Sequence, residues 1–111
     1  MRAVGVTRFG GPEALTVVDL PERHAGPGEL RLRVHAAAVS PTDTFTRNGS
    51  RWRGPGDEAD VPQVMGMDCA GVVDEVGEGV TGFAEGDRVM AIVLPSGSHG
   101  AYSESLVLPA D

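Results

Sequence analysis

Short stretches of alternating apolar and polar residues are the main pattern along this chain. In residues 29–38 the apolar positions fall on one side and the polar ones on the other, with Leu30, Leu32, Val34 and Ala36 set against Arg31, Arg33 and His35. This period of two predicts a β-strand with one buried face and one solvent-facing face. Weaker versions of the pattern predict strands at residues 2–7, 15–19 and 101–108.

Two other apolar stretches depart from simple alternation. Residues 89–94 are apolar on both faces of an extended chain, which predicts a fully buried strand. Residues 69–76 mix apolar positions with Asp74 and Glu75, which predicts a half-exposed strand that contains a bulge.

One short helix is predicted directly after Ser40. Ser40 or Thr42 can cap its first turn, Pro41 suits that turn, and Asn48 followed by Gly49 can end it. Elsewhere, sixteen glycines and eight prolines separate the short strands. The pattern as a whole therefore predicts a mainly β fold, either a small barrel or a sandwich, with one modest core.

A long stretch without a predicted element lies at residues 47–62. Loops of this length are often functional or mobile. Within it, Arg51, Trp52 and Arg53 have the chemistry to contact an anionic cofactor or a flat aromatic substrate. The alternative is a solvated loop that is held in place by one aromatic side chain.

The charge balance excludes several kinds of partner. The net charge is −7, with sixteen acidic residues against nine basic ones, so neither nucleic acid nor an anionic membrane is expected to bind. Cys69 is the only cysteine, which excludes an intramolecular disulfide. No segment resembles a signal peptide or is long enough to span a bilayer, and we expect a cytoplasmic protein.

A glycine motif of the form G-x-G-x-x-G is present at Gly77, Gly79 and Gly82. In a dinucleotide fingerprint such glycines open a helix whose first amides hold a pyrophosphate. Here the strand-like residues 88–94 follow too closely for a helix, and acidic residues surround the glycines. We therefore expect two turns at this place rather than a phosphate-binding loop.

The same segment carries a family resemblance. Residues 76–89 read VGEGVTGFAEGDRV, and five other segments agree in order with one family: residues 1–15, 27–39, 40–43, 66–73 and 100–111. Together they resemble the GroES-like catalytic domain of the medium-chain dehydrogenase/reductase superfamily, in its quinone oxidoreductase branch. The resemblance implies that residues 1–111 form one GroES-like domain, a partly open β-barrel with one short helix after Ser40.

The resemblance also bears on metal binding. Zinc alcohol dehydrogenases of this superfamily take ligands from a C-x-[ST]-D motif and a G-H-E motif, and Ser40 and Met67 stand at the two ligand positions here. Serine and methionine are poor zinc ligands. His24, His35 and His99 are scattered without ligand spacing. We therefore expect no metal.

Three candidate catalytic residues follow from the resemblance, namely Ser40, Thr42 and Asp43. Ser40 takes the position of an asparagine that lies near the nicotinamide and the substrate, so it is also the candidate cofactor contact. Thr42 matches a hydroxyl that relays a proton in the zinc enzymes. Asp43 matches the family motif best, but it has a second interpretation as a helix-start carboxylate that accepts hydrogen bonds from backbone amides.

Candidate substrate-binding residues are Phe45, Arg51 and Trp52. Phe45 stands where the family often has tyrosine, so the resemblance implies that one polar contact to the substrate is lost. Arg51 and Trp52 are chosen for their chemistry and for their place in the long loop.

The leading functional hypothesis is the substrate domain of a zinc-independent, NADPH-dependent quinone or enone oxidoreductase. In this superfamily a Rossmann domain holds the NADPH, and it is absent from these residues. We therefore expect this chain alone to bind no cofactor, to be inactive, and either to self-associate or to be only marginally stable. One alternative is a stand-alone β-barrel module for binding or assembly. A second is a zinc-type alcohol dehydrogenase domain.

Overall fold

Seven β-strands and one α-helix form the fold in the computed structural model, which describes residues 1–111. The strands are β1 (Arg2–Arg8), β2 (Thr16–Asp19), β3 (Glu29–Ala37), β4 (Glu58–Val64), β5 (Asp68–Val76), β6 (Arg88–Ile92) and β7 (Ser105–Pro109). The helix, α1 (Pro41–Arg47), connects β3 to β4. The predicted mainly β fold with one short helix after Ser40 is confirmed. No helix is long and apolar enough to cross a membrane.

The strands form two antiparallel sheets. One has the order β2-β1-β4 and the other has the order β6-β5-β3-β7. Neither sheet closes on itself, so the expected partly open barrel takes the form of two open sheets. Their link is the segment before β7, where Val4 N donates to Tyr102 O at 2.8 Å and Glu104 N donates to Arg2 O at 3.0 Å.

The larger core belongs to the four-stranded sheet, and Leu32, which is 2% exposed, is its largest fully buried side chain. Its buried members are Leu30, Leu32, Cys69, Val73, Val93, Ala101 and Leu106. A smaller core under the other sheet contains Ala3, Leu20 and Val64. Cys69 is therefore a core residue, and burial raises the pKa of its thiol, with a smaller contribution from Asp68.

The alternation predicted for β3 holds over its first part only. Leu30 and Leu32 are buried, but Ala36 is exposed. A bulge causes this change, because the pairing with β5 shifts between Val34 and Ala36. As a result Ala37, opposite Cys69, takes the core-facing position.

The prediction that residues 89–94 form a fully buried strand is wrong. Met90 is 88% exposed, Ile92 is 83% exposed and Leu94 is 78% exposed. The reason is that only the Val89 and Ala91 side of β6 packs on the core, while the opposite face of the four-stranded sheet is exposed, including Ala70 on the central strand β5. For β5 the predicted bulge is confirmed by a second shift in its pairing with β3, between Arg31 and Leu32.

Two further boundaries differ from the sequence predictions. Residues 58–62 were expected to belong to a loop, but they begin β4, which pairs with β1 at Arg8 and Glu58. Pro62 is tolerated there because β4 lies at a sheet edge. Residues 101–104 were expected to belong to the last strand, but β7 begins only at Ser105 because those residues form the link between the two sheets.

The glycine motif forms turns, as predicted. No helix follows Gly82, and the next element is β6. Gly79 has a φ of +81° and Gly82 has a φ of +87°. Residues other than glycine rarely adopt this backbone conformation. The second turn is held by Asp87, whose Oδ2 accepts from Ala84 N at 2.9 Å.

Candidate substrate site

The start of α1 is built by local sequence alone. Ser40 is the N-cap, and its Oγ accepts from Thr42 N at 3.3 Å. In return Asp43 Oδ2 accepts from Ser40 N at 2.8 Å. This reciprocal pair is a capping box, with Pro41 in the first turn as predicted. It fixes the backbone of Ser40, which the family resemblance places near the nicotinamide and the substrate.

Asp43 is a buried carboxylate with contacts beyond the helix. It is 5% exposed, and its Oδ1 accepts from Gly66 N at 3.0 Å. Its Oδ2 accepts from the Tyr102 hydroxyl at 2.8 Å in addition to the Ser40 amide. Both oxygens are therefore occupied, and the carboxylate ties α1 to two distant segments of the chain.

Tyr102 is a residue that sequence reasoning missed at this site. The pattern indicated only that it belongs to the predicted strand at residues 101–108, yet its hydroxyl reaches Asp43 across 59 residues of sequence. Burial raises the pKa of Tyr102 well above its usual range, and the hydrogen bond to Asp43 raises it further. No local signal could have found this pair, because the two residues meet only through the link between the sheets.

Gly66 makes the close approach of these segments possible. It has a φ of +102°, and a Cβ at this position would lie 2.7 Å from Ala101 Cβ and 2.8 Å from Tyr102 Cδ1. Ala101 N donates to Gly66 O at 3.0 Å, and Tyr102 N donates to Met65 O at 2.9 Å. A side chain here would push Tyr102 away from Asp43.

A groove of about 180 Å³ lies beside α1. Four separate segments line it, with Phe9, Thr46, Arg51, Trp52, Gln63, Val64, Pro95, Ser96 and Gly97. The Trp52 ring packs against Phe9 with a centroid distance of 5.6 Å and a tilt of 43°. A volume below about 300 Å³ suits part of a small ligand rather than a whole one.

The structure brings some of the predicted site residues together and separates others. Arg51 and Trp52 share the groove. Ser40, Thr42 and Asp43 lie at the start of α1 and do not line it. Phe45 does not line it either, and its side chain is 50% exposed. Thr46, which no sequence pattern indicated, does line it.

The groove carries an unneutralised positive charge. Arg51 is exposed and forms no ion pair, although acidic residues outnumber basic ones in the chain. Trp52 is half-buried, and its Nε1 donates to Pro55 O at 3.4 Å. The flat Trp52 ring beside a free guanidinium suits a planar ligand with a polar or anionic oxygen.

The chain offers neither a metal cluster nor a dinucleotide cradle. No group of three or more His, Cys, Asp or Glu side chains lies close enough together to hold a metal ion. Asp43 already receives three hydrogen bonds, from Ser40, Gly66 and Tyr102. The glycines at 77–82 are followed by β6 and not by a helix, so these residues do not fit a pyrophosphate.

Comparison with known proteins adds the family. The model of the alcohol dehydrogenase GroES-like domain matches residues 26–111, most of the chain. The chain belongs to this family. The relatives of this GroES-like domain include quinone oxidoreductases of the medium-chain dehydrogenase/reductase superfamily, in agreement with the resemblance found in the sequence.

Three relatives illustrate the match of the GroES-like domain. It is 37% identical to the quinone oxidoreductase of Rattus norvegicus, covering 95% of this chain and 31% of that protein. It is 37% identical to the 2-haloacrylate reductase of a Burkholderia species, covering 98% of this chain and 31% of that protein. Among solved structures, the Escherichia coli quinone oxidoreductase complexed with NADPH superposes with a TM-score of 0.80 at 29% identity, covering 99% of this chain and 31% of that one.

The GroES-like domain described here thus spans about a third of the length of the curated relatives that it matches. The two relatives named reduce a quinone or a haloacrylate, according to their names, and the solved structure contains NADPH.

Proposed function

We propose that this chain is the substrate domain of a zinc-independent oxidoreductase that passes a hydride from NADPH to a quinone or another activated alkene. The observation that carries the proposal is the match over nearly the whole chain to quinone oxidoreductases and to a 2-haloacrylate reductase. The bound cofactor supplies the hydride, and a separate nucleotide-binding domain holds it, because these residues lack a pyrophosphate cradle.

Within that reaction, this chain's residues bind and orient the acceptor. We assign the ring of the acceptor to the Trp52 and Phe9 wall of the groove, and its polar oxygen to the Arg51 guanidinium. We place Ser40 beside the nicotinamide. Its Oγ accepts a hydrogen bond from Thr42 N, so its hydroxyl hydrogen is still available to donate. Thr42 and Phe45 lie on the same helix, α1, and complete the substrate-binding surface beside Ser40. Asp43 holds that helix in place.

Acceptor binding can be tested on the chain itself, because Trp52 is its only tryptophan. Titration with a soluble naphthoquinone should quench Trp52 fluorescence saturably, and Arg51→Gln should weaken the binding by about tenfold, as expected for loss of one charged hydrogen bond. Arg53→Gln is the matched control, since Arg53 is also an exposed neighbour of Trp52 but does not line the groove. Equal effects of the two variants, or quenching that never saturates, would remove the groove from the proposal.

Hydride transfer needs a nucleotide domain, and a chimera provides one. This chain would replace the matching first third of the Escherichia coli quinone oxidoreductase, and loss of NADPH absorbance would be followed with quinone and with haloacrylate. Turnover that resists metal chelators is expected. Turnover of alcohols that is abolished by chelators would favour the zinc alcohol dehydrogenase alternative, and a folded, NADPH-binding but inactive chimera would favour the stand-alone binding module.

Two absences are part of the proposal and have direct tests. Ser40 and Met67 stand at the positions of zinc ligands, so elemental analysis after dialysis should find no stoichiometric zinc. Because the glycine motif forms turns, calorimetry should find NADPH affinity no tighter than millimolar for this chain alone. Micromolar affinity that Gly79→Val abolishes would show that the glycine motif binds phosphate after all.

We also propose that the isolated chain self-associates through the outer face of the four-stranded sheet. Met90 and Ile92 stand out from β6, and with Ala36, Ala38 and Ala70 they line one apolar concavity. Exposed apolar surface of this kind usually finds a partner. Sedimentation equilibrium should show dimers or larger species that Ile92→Ser reduces.

The matched control for Ile92→Ser is Val61→Ser, which changes an exposed apolar residue on the edge strand β4 of the other sheet. It should leave the association unchanged. A chain that stays monomeric at high concentration, with a high melting temperature independent of concentration, would contradict self-association and favour the stand-alone module.

A further inference from the structure

Tyr102 holds a position in the molecule that packing alone does not explain. It is the only tyrosine of the chain, and its backbone already joins the two sheets through Val4 and Met65. Its hydroxyl nevertheless turns inward and donates to Asp43 Oδ2 at 2.8 Å. A phenylalanine would fill the same space, so the hydroxyl contributes something that the ring does not.

The carboxylate that it meets depends on neutral donors. Asp43 is 5% exposed, and no Arg or His forms an ion pair with it. Its charge is held by two backbone amides and one phenol, those of Ser40, Gly66 and Tyr102. A buried charge is costly unless it is hydrogen-bonded, so each of the three donors matters to its placement.

Ser40 and Tyr102 share a single oxygen of this carboxylate. Asp43 Oδ2 accepts from Ser40 N at 2.8 Å and from the Tyr102 hydroxyl at 2.8 Å. The hydrogen-bonded path from the link between the sheets to the N-cap of α1 is therefore only two bonds long. The direction in which the carboxylate faces Ser40 is set on its other side by the phenol.

We propose that Tyr102 is a positioning residue for Ser40, in which its hydroxyl orients the Asp43 carboxylate and the carboxylate fixes the backbone of Ser40. The inference deepens the proposed function, since it rests on that function for the role of Ser40 beside the acceptor. The positioning itself can be tested without turnover, so failure of the one is distinguishable from failure of the other.

The first test is amide hydrogen exchange, followed by NMR on the intact chain. Tyr102→Phe removes only the hydroxyl, and exchange of the Ser40 amide should become at least about tenfold faster, as expected for a weakened bond to a charged acceptor. The Gly66 amide, on the other carboxylate oxygen, should change in the same direction. The Val73 amide, which donates to Asp87 O in a remote part of the fold, should not change.

Thr44→Val is the matched control. It removes a hydroxyl from α1, the helix that carries Asp43, and this hydroxyl donates to Pro41 O at 2.6 Å and does not touch Asp43. The Ser40 amide should keep its protection in this variant. Unchanged exchange of the Ser40 amide in Tyr102→Phe would overturn the inference, and so would an equal acceleration at Val73, which would reveal general loosening.

The second test does not depend on whether Tyr102→Phe folds. Phenolate absorbance reports Tyr102 alone, and in the folded chain it should stay absent at pH values near the usual tyrosine pKa of about 10. Asp43→Asn removes the negative charge with little change of shape, and it should bring the titration to lower pH. Ordinary titration in the folded parent chain, or a titration that Asp43→Asn leaves unchanged, would overturn the inference.

Discussion

Substitution of Gly66 by alanine should be among the most damaging single changes in this fold. Gly66 has a φ of +102°, and an added Cβ would lie 2.7 Å from Ala101 Cβ and 2.9 Å from Ala101 N. Positive φ costs an alanine about 1–2 kcal/mol, and forcing a methyl into closed packing costs about 1–3 kcal/mol more. The expected loss is therefore about 2–5 kcal/mol, from a total of about 5–15 kcal/mol for a typical domain.

Gly79→Ala separates these two terms. Gly79 has a φ of +81°, but nothing lies within 4 Å of its added Cβ. It should therefore lose only the backbone term of about 1–2 kcal/mol. The entropy that alanine removes from the unfolded chain is the same in both variants and cancels in the comparison. The difference between the variants, about 1–3 kcal/mol, measures the contact between Gly66 and the link between the sheets.

The assay is urea unfolding, followed by circular dichroism and by the fluorescence of Trp52. Both variants should keep the slope of the parent chain, with midpoints that fall in the order parent, Gly79→Ala, Gly66→Ala. Alanine keeps the backbone amide that donates to Asp43, so the substitution does not itself remove that hydrogen bond. Equal midpoints for the two variants would refute the steric argument at Gly66.

Three further predictions concern the core and the acid response. Leu32→Ala should lower the free energy of unfolding in urea by about 2–5 kcal/mol because Leu32 is 2% exposed. Met90→Ala, at 88% exposure, should change it by no more than about 0.5 kcal/mol. Similar losses in the two variants would mean that the assigned core is wrong. The pKa of Glu75 is lowered by hydrogen bonds from His24 and the Ala25 amide, so its contribution is present above the unfolded pKa of about 4.3 and is lost as pH falls below it. Glu75→Gln should therefore flatten the acid-side decline in melting temperature, and an unchanged slope would contradict this assignment. Burial, aided by Arg23, lowers the pKa of His99, so the contribution of His99 to stability should be full above about pH 6.5 and should decline as pH falls. His99→Gln should remove that part of the decline. If the melting temperature of the variant falls as steeply as that of the parent between neutral pH and the onset of carboxylate titration, this assignment is refuted.

Local features of this fold could be predicted from the sequence because their causes lie within a few residues. The start of α1 is one example, since Ser40, Pro41 and Asp43 supply a cap, a first-turn proline and a reciprocal acceptor. The glycine turns at residues 77–87 are another, because the next strand leaves no room for a helix. The family resemblance extended these local predictions to the whole domain.

Features that depend on strand order could not be predicted in the same way. Residues 89–94 have the composition of a buried strand, but one face of the sheet that contains β6 is exposed, and no pattern within β6 indicates whether that face is covered. The bulge that turns Ala36 outward depends on pairing with β5. Likewise the groove gathers Phe9, Trp52 and Pro95 from distant segments, and only the folded chain shows them as neighbours.

The link between the sheets also has a consequence for synthesis on the ribosome. β1 begins at Arg2, yet it is joined to Tyr102 and Glu104 by hydrogen bonds that span about a hundred residues. At a translation rate of about 5–20 residues per second, the first strand waits roughly 5–20 s for these partners. Until then Val4 and Arg2 lack part of their hydrogen bonding, and β1 is exposed to the nascent chains of neighbouring ribosomes. A slow codon anywhere between residues 2 and 102 would lengthen that interval by its own delay, and clusters of such codons are expected to increase misfolding.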